Sequence, residues 1–238
     1  QLIFITTPDT TICSGPISLN VQAVQGQLTS LTQDDAWSTV PYPLGFSFTF
    51  YGNTYTQVVL STNGCISFNL AYAGGGCPWF IGNAIPSAAV PLNCIMGPWQ
   101  DLWPPGGGNA RYGTVGTAPN RVFVFEFCSM VYFTTGICPG NEFTGEGLLF
   151  EGSNIIEIHI FHKPACHAWN GGHAIEGIQN STGTIAHPVP GRNFPAVWTA
   201  NNDGYRFTPT GPASYNVTAI PYSPIAVVTS VTWFANAV

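Results

Sequence analysis

The chain has 238 residues and a formal net charge of −6, yet only 7% of its side chains are charged, against about 25% in an average soluble domain. Its four arginines (Arg111, Arg121, Arg192, Arg206) and its one lysine, Lys163, are scattered, which excludes the clustered cations of a nucleic-acid binder. Apolar residues make up 45%, but none of their runs reaches the roughly 18 uninterrupted positions a membrane helix needs, so no membrane span is expected.

Glycine (27) and proline (20), set among 16 Phe, 9 Tyr and 7 Trp, read as turn chemistry around large core-forming side chains rather than as disorder. Seven cysteines fit an oxidising compartment, with one left over from pairing. The opening QLIFITTPDTT lacks the basic start of a signal peptide, and Gln1 fits a mature N-terminus left by cleavage.

Gly or Pro interrupts nearly every window that could hold three helical turns, so the elements are strands. Leu2–Thr6 and Ile17–Val24 come first. FYGNTYTQVVLSTNGCISF (Phe50 to Phe68) then joins Gly45–Tyr51, Gln57–Leu60 and Ile66–Asn69 through the breakers Gly52-Asn53 and Asn63-Gly64. Asn-Gly between apolar runs is the signal of a type I′ hairpin, whose two central residues need positive φ. Two stretches, Ala71–Pro91 and Gly97–Asn109, carry CPWF and GPWQDLWPPGGG with little strand pattern and read as long functional or stapled loops. Arg121–Phe127 follows, then the hairpin of Gly147–Phe150 and Ile155–Phe161 turning at Gly152-Ser153-Asn154, then Ala174–Gln179 and Gly204–Thr208. In that hairpin Ile156, Ile158 and Ile160 alternate with Ile155, Glu157 and His159, which puts the two sets on opposite faces. The reading is an all-β antiparallel sandwich with long Gly/Pro/Trp-rich loops, in which Arg121–Phe127 and Ile155–Phe161 are central strands.

The blocks VPYPLGFSFTFYGNTYTQVVLSTNGCISF, IMGPWQDLWPP, RYGTVGTAPNRVFVFEFC, LLFEGSNIIEIHI and KPACHAWNGGHAIEGIQNSTGTIAHPVPGRNFPAVWTANNDGYRFTP run in order from about Asp34 to Pro209. Together they resemble the nidogen-like β-sandwich domain of large secreted surface adhesins of gliding Bacteroidetes, the SprB type. TTICSGPISLNV and TSVTWFANAV resemble strands of the Ig-like repeats of such proteins. The resemblance implies three parts: Ig-like strands over 1–27, the nidogen-like domain over 28–211, and Ig-like strands over 212–238 that continue past Val238. It also implies a non-catalytic module of an extracellular, cell-surface adhesin or filament associated with gliding motility and exported by type IX secretion. Its partners would be an external surface or polysaccharide, neighbouring modules of the same polypeptide, and the motility or secretion machinery. The sequence departs from the family at Cys65, where an aromatic is usual, and at Gln100, where a histidine is usual.

The remaining chemistry is weighed residue by residue. His159, His162, Cys166, His167 and His173 are dense enough to suggest zinc, but strand alternation sends His159 and His162 to opposite faces, so a structural role is favoured. Glu126, Glu157 and Glu176 lie on candidate strands, yet neither a G-x-S-x-G elbow nor an H-E-x-x-H run occurs, so no enzyme is expected. Asp34, Asp35 and Asp101 are the calcium candidates; without a D-x-D-x-D spacing, no cofactor is required and Asx capping is the competing role. Trp79, Trp99, Trp103 and Trp169 lie in the long loops and either stack on sugar rings, which gives the alternative of a carbohydrate-binding module, or plug the ends of the sandwich. Cys128 with Cys138, and Cys77 with Cys94, are spaced as loop-closing disulfides; Cys13, Cys65 and Cys166 stay unassigned.

Overall fold

The structure, a computed structural model, describes residues 24–228 except 26, 30, 134–135 and 226. The expected strands at 2–6 and most of 17–24, with Cys13 and the last ten residues, lie outside the described residues. The chain passes through β1 (Val24–Gln25) and β2 (Gln27–Leu28), then β3 (Tyr42–Phe50), β4 (Asn53–Leu60), β5 (Cys65–Ser67) and β6 (Cys94–Trp99). It continues as β7 (Asn109–Val115), β8 (Val122–Val131), β9 (Glu142–Phe150) and β10 (Ile156–Lys163). It closes with β11 (Ile175–Gln179), β12 (Ala186–Pro188), β13 (Ala200–Gly211), β14 (Ser214–Pro221) and β15 (Val227–Val228). Among the described residues the only helical pieces are three single 3₁₀ turns, at Leu70–Tyr72, Pro104–Gly106 and Asn170–Gly172.

Two antiparallel sheets form the sandwich, in the orders β14-β13-β10-β9-β8-β7-β2 and β12-β11-β6-β5-β4-β3. The expected central strands β8 and β10 flank β9 in the middle of the seven-stranded sheet. Strand alternation decides what each face buries. Phe123, Phe125 and Phe127 of β8 and Ile156, Ile158 and Ile160 of β10 point inward, against Leu44, Phe48 and Phe50 of β3, Ile66 of β5, Ile95 of β6 and Ile178 of β11. Each fully buried side chain of this kind contributes roughly 1.5–3 kcal/mol. A second apolar layer covers the outer face of the six-stranded sheet, where Val59, Cys65, Cys94, Met96 and Ile175 meet Cys77, Ile81, Ile85 and Val90 of the 70–92 loop.

The first hairpin differs from its sequence reading. Tyr51 (φ 46°) and Gly52 (φ 77°) are the two left-handed residues between the Phe50–Asn53 pair, so they form the primed turn. At Asn63-Gly64 only Gly64 is left-handed, with φ 80°, and a Cβ there would sit 1.9 Å from the Pro98 carbonyl oxygen. Sequence reading also misses β6, because CIMGPW carries Gly and Pro inside the strand, and β7, because NARYGTV opens polar. Ser214–Pro221, expected within a flanking Ig-like unit, is the edge strand β14 of the main sheet and pairs with β13 over Asp203–Gly211. The part of the expected flanking sheet that is described is the parallel pairing of Val24–Gln25 with Val227–Val228.

One charged cluster joins the two sheets. Glu176 on β11 points inward with its side chain fully buried, and its carboxylate accepts from Arg192 Nη1 at 2.6 Å. The same guanidinium reaches Asp203 on β13 and lies between the rings of Trp198 (4.5 Å) and Tyr205 (4.8 Å). Burial pushes the Glu176 carboxyl up to about 7 even with Arg192 drawing it down. Arg192→Ala is therefore expected to cost about 3–5 kcal/mol, because it strands a buried carboxylate. Glu176 binds its proton more tightly folded than unfolded, so its stabilising share is complete below its ordinary value and is lost as pH rises through about 7. Without Arg192 the deficit is accordingly larger at pH 8 than at pH 5. Urea denaturation of both proteins at the two pH values measures it.

Candidate functional site

The loops at one end of the sandwich converge on Asn63. Its side chain is fully buried, donates from Nδ2 to Asp35 Oδ1 (2.9 Å) and the Pro78 carbonyl (3.3 Å), and accepts the Leu102 N–H at Oδ1 (3.0 Å). One amide thus ties the segment before β3, the 70–92 loop and the end of β6 together. That sharing accounts for its departure from the primed-turn conformation. Sequence reading placed Asn63 in a turn and missed this role; a buried Asn is not distinguishable from a turn Asn by its neighbours alone.

Around it stand the three sequence-derived calcium candidates. One carboxylate oxygen each of Asp34, Asp35 and Asp101 lies within 4.8 Å of the others. Ligands on calcium at 2.3–2.6 Å are at most about 5 Å apart, so the spacing fits such an ion. Asp34 Oδ1 is buried without a hydrogen-bond partner. Asp101, only 7% exposed, accepts the Trp169 indole N–H at 2.8 Å. Burial pushes its carboxyl up to about 7; Trp169 opposes the shift, and Asp35 and Asp34 add to it. Burial also raises both neighbours, Asp34 with help from Asp35.

Three of the four candidate tryptophans belong to this end. Trp79 stacks on Trp169 with centroids 6.1 Å apart and planes 20° apart, and Phe80 meets Trp79 edge-on at 5.9 Å. Trp169 packs on Phe133 at 5.4 Å, and Phe133 meets Trp103 at 5.7 Å. The result is a continuous row of five rings. The row is open at one end, where Trp79 is 41% and Phe80 61% exposed. Trp99 is not part of the row. It is 1% exposed, donates its indole N–H to the Pro78 carbonyl at 2.8 Å, and serves as core beneath the 70–92 loop.

The cysteines correct both expected disulfides. Cys138 bonds to Cys166, and Cys65, Cys77, Cys94 and Cys128 carry free thiols. Strand β8 runs on to Val131, which at about 3.3 Å per residue takes the chain roughly 10 Å beyond Cys128, past the 7 Å Cα limit of a disulfide. Cys138, in the hairpin tip beyond that point, meets the loop after β10 instead. This bond closes a 28-residue separation and contributes roughly 3.5 kcal/mol. Cys77 and Cys94 share one apolar layer with Cys65, and it is Cys65 whose thiol interacts with each of them. Burial pushes the Cys65 and Cys77 thiols well up, so both are held protonated.

The remaining titratable groups do not gather at this end; Glu126, Glu146, Glu157 and His159 neighbour one another on the outer face of the seven-stranded sheet. His159 is buried with its Nε2 2.9 Å from Glu157, His162 pairs with Asn201 through Nδ1 at 2.8 Å, and His167 is exposed. Glu126 and Glu157 face outward from the seven-stranded sheet while Glu176 faces inward, so no common cleft holds the three carboxylates. A cleft of about 210 Å³ lies between Trp37, Tyr72, Pro78 and Pro91, and no carboxylate, amine or imidazole lines it.

The protein family described as NIDO related matches residues 17–218 of the chain. No curated protein and no solved structure matches it.

The acidic cluster makes stability depend on pH. Asp101 holds its proton up to about 7 in the folded chain and only to its ordinary value when unfolded, so its contribution is complete in acid and lost as pH rises through about 7. Asp101→Asn keeps an oxygen for Trp169 and cannot ionise. With a chelator present it is expected to gain on the order of 1–2 kcal/mol at pH 8, allowing for solvent screening, and nothing near pH 4. Thermal melts across that range decide it; a variant less stable than wild type at pH 8 would contradict the assignment.

Proposed function

The chain belongs to the NIDO-related family, and on that footing we propose that it is a non-catalytic attachment module of a large secreted protein displayed at the cell surface. The blocks from Asp34 to Pro209 extend the reading to the gliding-motility adhesins they resemble, carried outward by type IX secretion and joined to further modules of the same polypeptide. The observation that carries the proposal is the row of five rings, open at Trp79 and Phe80, at the end of the sandwich where the longest loops meet. Exposed adjacent aromatics with polar groups at their margin are what contact surfaces are made of. The low charge and the Cys138–Cys166 bond agree with an extracellular setting.

Two features of the row favour saccharide as the contacted material. Trp79 and Trp169 lie nearly parallel, and their flat faces suit the apolar faces of sugar rings. Asp101, hydrogen-bonded to Trp169, supplies an acceptor for hydroxyls beside those faces. Calcium held by Asp34, Asp35 and Asp101 belongs to the same reading. It would neutralise three crowded carboxylates and fix the loops that carry the rings.

Trp79→Ala removes the most exposed indole among the described residues without touching the core. It is expected to abolish adhesion of module-coated beads to polysaccharide-coated surfaces while shifting the melting temperature by no more than about 2 °C, a surface-substitution effect. Undiminished adhesion would remove the row from the contact surface. For calcium, millimolar additions at pH 8 are expected to raise the melting temperature of the wild type by roughly 2–4 °C and to leave Asp101→Asn unchanged.

A further inference from the structure

Behind Trp169 lies a small cavity of about 20 Å³, lined among others by Gln100, Asp101, Tyr132, Lys163, Asn170 and His173. It has room for one water-sized group. Three of these side chains each carry a buried polar atom without a hydrogen-bond partner: one end of the Gln100 amide, Asn170 Oδ1 and His173 Nδ1. Orphaned groups are rare in folded proteins, and three around one cavity call for an occupant.

The chemistry of the occupant follows from the protons available. Tyr132 has one hydroxyl proton, which goes to the Pro164 carbonyl at 2.8 Å. It therefore has none left for the Gln100 amide atom 3.2 Å away. The contact is satisfied only with the amide turned so that its NH₂ donates to the Tyr132 oxygen, which leaves the Gln100 carbonyl oxygen facing the cavity. Gln100 is 3% exposed, so that oxygen has no solvent to turn to. The cavity then presents two amide oxygens, from Gln100 and Asn170, together with an imidazole nitrogen. Lys163 donates to the Trp198 carbonyl at 2.9 Å and the Pro164 carbonyl at 3.3 Å, which leaves its third N–H available. A group that donates one hydrogen bond and also accepts one suits this set. That description fits a hydroxyl.

The cavity is coupled to the aromatic row. Asn170 Nδ2 donates to the Trp79 carbonyl at 2.9 Å, and Trp169 both lines the cavity and stacks on Trp79. We propose that the cavity is a ligand subsite that takes one hydroxyl of a neutral hexose whose ring rests on the Trp79–Trp169 row. This rests on the saccharide reading above and adds to it the point of recognition: the row holds the sugar and the cavity selects it. A deoxy sugar lacking the buried hydroxyl leaves the orphaned groups unsatisfied and is disfavoured for that reason.

The test is calorimetric titration of the whole chain with glucose, galactose and mannose, then with the monodeoxy derivatives of the best binder. Wild type is compared with Gln100→Leu and His173→Gln, and thermal melts establish that both variants fold. One deoxy derivative is expected to bind wild type about tenfold more weakly than its parent, the net loss for one hydrogen bond, and the variant that removes the acceptor of the hydroxyl's proton is expected to bind that pair equally. Equal binding of every deoxy derivative by wild type, or unchanged discrimination in both variants, reduces the cavity to an ordered water and overturns the proposal while the row remains a saccharide surface. Binding of glucosamine without glucose replaces the hydroxyl by an ammonium and also overturns it. If wild type binds none of the sugars while Trp79→Ala still abolishes adhesion to the polysaccharide surfaces, the subsite falls and the row stands as a polysaccharide surface; if wild type neither binds the sugars nor adheres to polysaccharide, the saccharide reading falls with the subsite.

Discussion

The structure depends first on what is done with the few charges it has. Arg192 bridges Glu176 of one sheet and Asp203 of the other and lies between two aromatic rings. Lys163, 1% exposed, has its Nζ 4.1 Å from the centre of the same Trp198 ring and donates to that residue's carbonyl. Two of the five basic residues are thus spent inside. A buried ion pair is not a strong source of stability, since desolvating both partners offsets most of their attraction. Its effect is to make misalignment of the sheets costly. Two apolar faces alone could slide by a strand pair with little penalty, whereas displacing Arg192 leaves Glu176 charged in an apolar interior.

With the sheets held in register, polar contacts complete the loop end. Asn63 adds hydrogen bonds to the apolar layer that already seats the 70–92 loop, and the Cys138–Cys166 bond fixes the hairpin tip after β8. Both devices bring residues distant in sequence to the aromatic row while leaving its outer rings in solvent. The crowding of Asp34, Asp35 and Asp101 is a consequence of the same economy. Asn63 and Trp169 each satisfy one carboxylate oxygen; burial chiefly, and the repulsion of Asp35 and Asp34 in addition, raise the Asp101 carboxyl.

How much of this was legible in sequence varies with range. The interior strands β8, β9 and β10 were readable because alternation of Ile156, Ile158 and Ile160 with Glu157 and His159 is a local property. The EGSN turn was readable for the same reason. The acidic cluster was half legible: Asp34, Asp35 and Asp101 were named by residue type, but only the fold shows that they meet. The disulfides failed because sequence spacing says nothing about a strand lying between the two cysteines, and Cys128 is on β8 while Cys138 is beyond its end. Trp99 was left between sugar stacking and plugging the sandwich because a loop tryptophan and one capping a core look alike in the sequence GPWQDLWPP, and its burial selects the second. The strand β6 disguised itself with an internal Gly-Pro. Least legible of all was the cavity, whose lining comes from four separate segments.

The arrangement of the chain across the seven-stranded sheet bears on display. After β14 the chain crosses the outer face of that sheet, where the Ile225 N–H donates to the buried Glu146 carboxylate at 2.7 Å and the Ile225 side chain packs on Val122, Val124 and Leu148. There it meets Val24–Gln25 through β15. Val122 opens β8, whereas Val131 closes it next to Phe133 and the aromatic row. A ten-residue strand spans about 30 Å. The two outermost described segments therefore lie side by side near one end of β8, and the exposed rings lie beyond the other. Burial pushes the Glu146 carboxyl up to about 8, with Ile225 opposing and Glu126 and Glu157 adding to the rise. The length of the strand thus separates the exposed rings from those two segments, which agrees with the contact surface proposed at the far end.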